Sequence, residues 1–468
     1  MAWLGRFGTW VFTIWYIQVL LAIAGAAQTP GTLRWESPIE GKCYACPTVG
    51  PDGVIYIATH TNGGILYKFR GEDGSLLDSR FIPGTVEHSP ALDDQGRLFL
   101  VTLKGIKSPS NPLPSLPLCM CLDAETLATI WTTTLANGSD NTPILGNNRV
   151  YTGLVSDPRT PTPFVGQHYY ALNADTGAVT IDMFVEGWGA SPGVIDQNGR
   201  IFFGVEDLSN HPTPFTTTPA EIWPGVFYAL QPADPPDPAT PTLAWPKFHA
   251  NGECGSPVSC ASGVIFATCR DGNLYGFSAE TGEIRFQRNL GAPSTTGVTI
   301  GRDPLSGHLL LYTGTQSIEY TPGSGSRFMC IELDGSLEGA IRWNHQAPGG
   351  MSFGNAALDD LGNVYYTTTL GILTARTPGG SLLWTYTLPG GGDPTKSLGG
   401  IGGPTILDDG TIVSSSNGGK LVALWGNGNH LADDAPWPKY KHDLRNTSNV
   451  NTPIRPASST EISGWRLY

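Results

Sequence analysis

The sequence predicts an all-β chain folded as an eight-bladed β-propeller of four-stranded antiparallel blades. Three observations predict it. A unit of four short apolar runs recurs eight times, the residues between the runs are turn formers, and helical spacing is absent after the first thirty residues. With 60 Gly and 38 Pro in 468 residues but 40% hydrophobic residues, the chain is rich in turns rather than disordered. A repeat architecture can use this whole length as one domain.

The clearest unit runs from Ser256 to Leu290. Pro257 to Ser259 starts a short inner strand, and Val264 to Cys269 is an apolar run of strand length. Asp271-Gly272 is a two-residue turn, since Gly accepts positive φ. Leu274 to Ser278 and Ile284 to Arg288 complete the meander. The same pattern opens at Pro47, Pro90 and Pro143, at Ser191-Pro192, again in a blurred form near Gly297, at Ala356-Ala357 and at Pro404. Steps of about 51 residues exceed the ~40 to 50 of propeller blades, and Pro-rich insertions account for the excess. These are 104–117, 157–166, 207–225, 232–241 and the shorter 320–326. Pro lacks a ladder donor, so they read as loops. Those between a second and a third strand share one face of the ring with the inter-blade links, which predicts a decorated rim.

Closure is predicted from spacing. Trp35 precedes Pro47 by twelve residues, as Trp131 precedes Pro143 and Trp245 precedes Pro257. The stretch Thr32 to Ser37 therefore reads as a fourth strand that joins the last blade, near Lys420 to Leu424, and leaves no open sheet edge. The competing candidate is Trp437 to Asp443. On this reading residues 28–430 form the propeller, and the extension 431–468 packs on its outside. Residues 1–27 read as a secretory signal peptide: Arg6, the apolar run Trp10 to Ala24, and a small-residue site at Ala26 or Ala27. The chain is expected to be secreted or periplasmic, and monomeric.

The net charge of -13 with scattered Lys and Arg excludes a nucleic-acid footprint. The carboxylate pairs at Asp93-Asp94, Asp359-Asp360 and Asp408-Asp409 recur at one turn, where Asx side chains cap the backbone. The dispersed His residues give no metal spacing, and no phosphate loop or nucleophile elbow is present. Two candidate rim residues stand out: Trp188 on an inter-blade link, and Lys396 inside a glycine-rich link. Cys43 and Cys46 form a candidate disulfide pair. Cys254 and Cys269 form another on register grounds: if Ala261-Ser262 is the turn, Cys260 faces Gly263 and Cys254 faces Cys269.

The repeats resemble those of the quinoprotein-like (PQQ-like) β-propellers. The resemblance rests on the Ser-Pro or Thr-Pro openings, Tyr170 to Gly177, Tyr228-Ala229-Leu230, Ser278 to Gly282, and the tryptophans Trp131, Trp343 and Trp384 placed to pack between blades. The stretch Trp437 to Thr447 also resembles a segment of secreted bacterial members. One class in that fold is the quinone-dependent dehydrogenases. The resemblance implies for them adjacent cysteines, a Trp under the quinone, and Glu, Asn and Asp around Ca²⁺. This chain departs from that pattern: no two cysteines are adjacent, Cys119 and Cys121 coming nearest. The other class uses the blades as a protein-binding scaffold. The expectation is therefore a non-catalytic binding or scaffolding module with no cofactor, taking a protein or carbohydrate ligand on the decorated face. A dehydrogenase with a divergent site and a carbohydrate-active propeller enzyme are the alternatives.

Overall fold

The computed structural model describes residues 28–61, 63–105, 116–140, 142–153, 167–185, 187–188, 193–207, 224–232, 241–256, 258–316, 325–351, 356–392 and 403–455. Eight antiparallel sheets follow one another along the chain, each beginning with a strand of two to four residues. The first blade consists of Thr48–Val49, Val54–Ala58, Gly64–Arg70 and Leu76–Ile82. First strands are buried, while fourth strands such as Leu76–Ile82 and Leu382–Thr387 are mostly exposed or half-buried. First strands of neighbouring blades touch one another. They therefore surround the axis, and the fourth strands form the circumference.

The eighth blade is closed by the N-terminal strand. Leu33–Pro38 pairs with Lys420–Leu424, Trp35 opposite Ala423 and Pro38 opposite Lys420. The spacing of Trp35 foretold this, and the physical reason is visible in the packing. Each tryptophan of this position lies over the third-to-fourth-strand turn of the next blade. Trp35 donates its indole N–H to Gly71 O at 3.0 Å, Trp131 to Ala174 O at 2.9 Å, and Trp343 to Pro378 O at 2.8 Å. The turn must carry glycine: a Cβ on Gly74 would stand 2.4 Å from the Trp35 ring, and one on Gly177 2.5 Å from that of Trp131. Both glycines also have positive φ. The recurrent turn glycine and the recurrent tryptophan are thus one contact read at two places in the sequence.

The paired aspartates are turn caps. Asp93 Oδ1 accepts from the N–H groups of Gln95 and Arg97, and Asp359 Oδ1 from those of Leu361 and Asn363.

The C-terminal stretch corrects the expectation of an external extension. Residues 431–455 lie against the inner strands, with Trp437, Lys439, Asp443, Asn446 and Ser448 fully buried. Backbone N–H groups of Val49, Leu92, Leu145 and Ile195 donate to the carbonyls of Leu444, Arg445, Thr447 and Ser448 at 2.7–3.0 Å. Those of Ile300 and Leu358 donate to Trp437 and Pro438. The inner strands present unpaired amides toward the axis, and a buried amide must find an acceptor. The C-terminal stretch supplies acceptors to six blades, which a position on the outside could not do. Among the described residues no helix is long and apolar enough to cross a membrane.

The axial channel as candidate functional site

The channel has two unlike ends. At one end stand the first-to-second-strand turns, and there the C-terminal stretch crosses from the seventh blade to the first. At the other end stand the inter-blade links and the roots of the insertions. Segments 106–115, 154–166, 208–223 and 317–324 each join a second strand to a third, so their roots share this end. The insertions themselves lie outside the described residues. So do Lys396, the 1–27 leader and the side chain of Trp188; the Trp188 backbone pairs with Glu206.

Lys439 to Asp443 form the floor. Lys439 Nζ donates to Tyr440 O at 2.9 Å, to Asp443 O at 3.1 Å and to Asn446 Oδ1. Asn446 Nδ2 then donates to Thr48 Oγ1 at 2.8 Å, tying the floor to the first blade. Tyr440 stacks on His88 at 6.4 Å. Lys441 is only 2% exposed, and its amine finds no acceptor among the described residues. Burial brings that amine down to about 7, against the opposing pull of Asp140. Burial also drives His88 down to about 3, so its ring is neutral.

Two clusters form the walls. On the first, His60 Nδ1 stands 3.7 Å from Glu87 Oε2, and Tyr44 meets the His60 ring edge-on at 5.2 Å. Burial moves both partners toward their neutral forms: Glu87 rises to about 6, and His60 falls, helped by Lys104 and Lys42. On the second, Glu206 stands one residue before the end of the second strand of the fourth blade, Ile201–Asp207, and Glu253 lies in the following link. Arg270 Nε pairs with Glu253 at 2.8 Å. Burial, and then the charge of Glu253, push Glu206 well up.

A disulfide joins Cys254 to Cys269 beside this wall, with Cα atoms 4.3 Å apart. The register that suggested it differs in detail. The turn is Ser262-Gly263, and Cys260 faces Ile265. Past Ser256 the link slides by two positions, so that Arg270 N–H donates to Glu253 O at 2.8 Å and Cys254 comes opposite Cys269. Cys43 and Cys46 are not joined. Both are buried thiols, and they point apart: Cys43 Sγ toward Ala58 O in the first blade, Cys46 Sγ toward Pro404 O at the eighth.

The architecture defines an eight-bladed β-propeller whose ring is closed by its N-terminal strand. Residues 236–438 match the family described as "Outer membrane protein assembly factor BamB". That match spans less than half of the chain, and the fold as a whole is the one seen in BamB and in quinohemoprotein alcohol dehydrogenases. BamB from Moraxella catarrhalis is 14% identical, with a TM-score of 0.55 over 84% of this chain and 99% of that one. The quinohemoprotein alcohol dehydrogenase of Comamonas testosteroni is 13% identical, with a TM-score of 0.57 over 85% and 77%. Quinohemoprotein alcohol dehydrogenase ADHIIG from Pseudomonas putida HK5 is 12% identical, with a TM-score of 0.57 over the same shares. At these identities the likeness is one of fold. No curated protein matches in sequence.

The described residues at this channel do not fit a quinone with its cation. The disulfide spans fifteen positions rather than joining neighbours. Of the two wall carboxylates, Glu253 is already paired with Arg270. Among the described residues no group of three His, Cys, Asp or Glu side chains converges as a metal site. Cys119 and Cys121 are buried within the third strand of the second blade. Sequence reasoning missed Glu206, Glu253, Tyr440 and Lys441. The last two carried a signal, for Lys439 to Asp443 is a dense charged and aromatic run in a chain with only 14% charged residues.

Proposed function

We propose that this chain is a secreted or periplasmic, non-catalytic propeller that binds a protein or carbohydrate ligand at the end of the axis where the insertions are rooted. One observation carries the reading. The chain's own C-terminal stretch occupies the opposite end, spending the inner-strand amides of six blades on itself, which favours the insertion-bearing mouth for an outside partner. That mouth is floored by Lys441 and His88, both with polar atoms lacking partners among the described residues. The family description as an outer-membrane assembly factor supports both a scaffolding role and a location beyond the cytoplasm. The leader at residues 1–27 supports the same location.

The test is reconstitution with pyrroloquinoline quinone and Ca²⁺, followed by absorption spectra and dye-linked turnover of alcohols and sugars. No quinone band and no turnover is the expected result. Quinone bound more tightly than about micromolar, or about 8 kcal/mol, with turnover would overturn the reading. N-terminal sequencing of the exported protein should give a start at Ala27 or Gln28. An intact Met1 terminus on a membrane-bound form would refute the cleaved leader.

A further inference from the structure

A second site lies at the end of the ring that the C-terminal stretch occupies, away from the mouth discussed above. A cleft of about 530 Å³ opens between the second and third blades and residues 445–453. Its volume is within the roughly 300–1,000 Å³ of small-molecule sites. Its lining is polar, and most of its charges are already matched. Arg97 pairs with Asp93 at 2.7 Å and with Asp175 at 2.7 Å. Arg149 is engaged at the Tyr151 hydroxyl.

Arg445 is the exception. It is only 8% exposed, it lines the cleft, and its Nε is buried with no hydrogen-bond partner among the described residues. Its backbone is fixed on both sides: the N–H donates to Asp443 Oδ1 at 2.9 Å, and the carbonyl accepts from Leu92 N–H at 2.9 Å. A buried guanidinium without an acceptor is costly, and a carboxylate relieves that cost best because the two groups meet through parallel bonds. The rest of the lining offers acceptors. Asn148 gives its amide N–H to Asp175 at 3.0 Å and Asn147 gives one to Gly199 O at 3.1 Å, which leaves their oxygens for ligand hydroxyls. Asp94 stands exposed at the rim.

We propose that this cleft binds an acidic saccharide, a uronic acid residue, with its carboxylate on Arg445 and its ring hydroxyls on Asn147, Asn148 and Asp94. A simple carboxylate would satisfy Arg445 and leave most of the cleft unfilled. A neutral sugar would leave the guanidinium unmatched. The site exists only when the C-terminal stretch is docked, because Arg445 belongs to it.

Calorimetric titration of the full mature chain with methyl β-D-glucuronide, methyl β-D-glucoside and sodium acetate tests this. The glucuronide should bind, and the glucoside and acetate should each bind at least about tenfold more weakly. Arg445→Gln should lose at least about tenfold in glucuronide affinity with an unchanged melting curve. Asn148 has positive φ, so Asn148→Gly keeps the turn while removing the amide, and should weaken binding several-fold. If Arg445→Gln does not fold, Asn148→Gly and the glucoside comparison decide. No heat with glucuronide at about 20 mM, equal binding of glucoside, or an unaffected Arg445→Gln would overturn the assignment. Acetate binding as tightly as glucuronide would overturn the saccharide.

Discussion

Replacing Glu206 by Gln should stabilise this protein at neutral and alkaline pH and leave it unchanged in acid. Glu206 is 4% exposed, and its Oε2 has no hydrogen-bond partner among the described residues. It shares a buried wall with Glu253, which pairs with Arg270, its one positive partner among the described residues. Two carboxylates face one guanidinium, so full ionisation leaves an uncompensated buried charge. Burial first, and Glu253 second, raise Glu206 from 4.5 to about 9. The folded state therefore holds a proton that the unfolded chain gives up near pH 4.5. Stability from this group is complete below that pH, falls as pH rises, and levels off beyond about 9. Each unit of pH costs at most about 1.4 kcal/mol, so the loss by pH 7 is bounded near 3 kcal/mol, and sharing of the proton with Glu253 brings it to about 1–3 kcal/mol. Glutamine keeps the shape and removes the charge. Urea unfolding of both proteins from pH 5 to 9 should give coincident midpoints at the acid end that separate steadily above it, the variant being the more stable. Parallel pH profiles, or a variant less stable at pH 8, would refute the buried-charge argument.

Other consequences follow from the same contacts. Reducing or deleting the Cys254–Cys269 bridge should cost roughly 3 kcal/mol, the chain-entropy value for a loop of about 15 residues; identical melting with and without reductant would count against it. Trp437→Ala removes a fully buried side chain from the core around the fifth and sixth blades and should cost about 3–5 kcal/mol in denaturant unfolding. Deleting residues 28–38 exposes the Lys420–Leu424 edge and should produce concentration-dependent association in light scattering, and a monodisperse product would show that the edge is protected by other means.

The blades were legible in the sequence because each repeats a local rule: a short apolar run, a turn glycine, a tryptophan at fixed spacing. The Trp35 closure was legible for the same reason, since its partner turn at Gly74 recurs as Gly177, Gly282 and Gly380. Cysteine pairing was legible only in part. Spacing brought Cys43 and Cys46 close along the chain, yet the link between them turns one thiol into the first blade and the other toward the eighth. Cys254 and Cys269 meet through an irregular link at Ser256, whose hydroxyl takes the Thr268 N–H at 3.0 Å in place of a ladder bond. No pattern of side chains announces such a slip. The C-terminal stretch was misplaced because its docking is carried by backbone groups. Leu444 to Ser448 accept bonds through carbonyls, which every residue possesses, so composition could not show where they go. Glu206 and Arg445 acquire their character only from burial that the fold imposes.

The two termini close the ring by different physics. The N-terminal strand acts at the circumference and completes a ladder with one blade. The C-terminal stretch acts at the axis and touches six, so its contacts cannot form until the ring has nearly closed. Its own structure, in contrast, is local: Lys439 takes its three acceptors from Tyr440, Asp443 and Asn446, and Asp443 caps the Arg445 and Thr447 amides. A stretch that satisfies its own charges can enter a dry channel without stranding them, apart from those it carries outward. Lys441 and Arg445 are those exceptions: the Lys441 amine and the Arg445 Nε have no hydrogen-bond partner among the described residues, and Arg445 lines the cleft between the second and third blades. The element that locks the inner strands together thus also carries these two buried cationic side chains, so both are in place only in an intact ring.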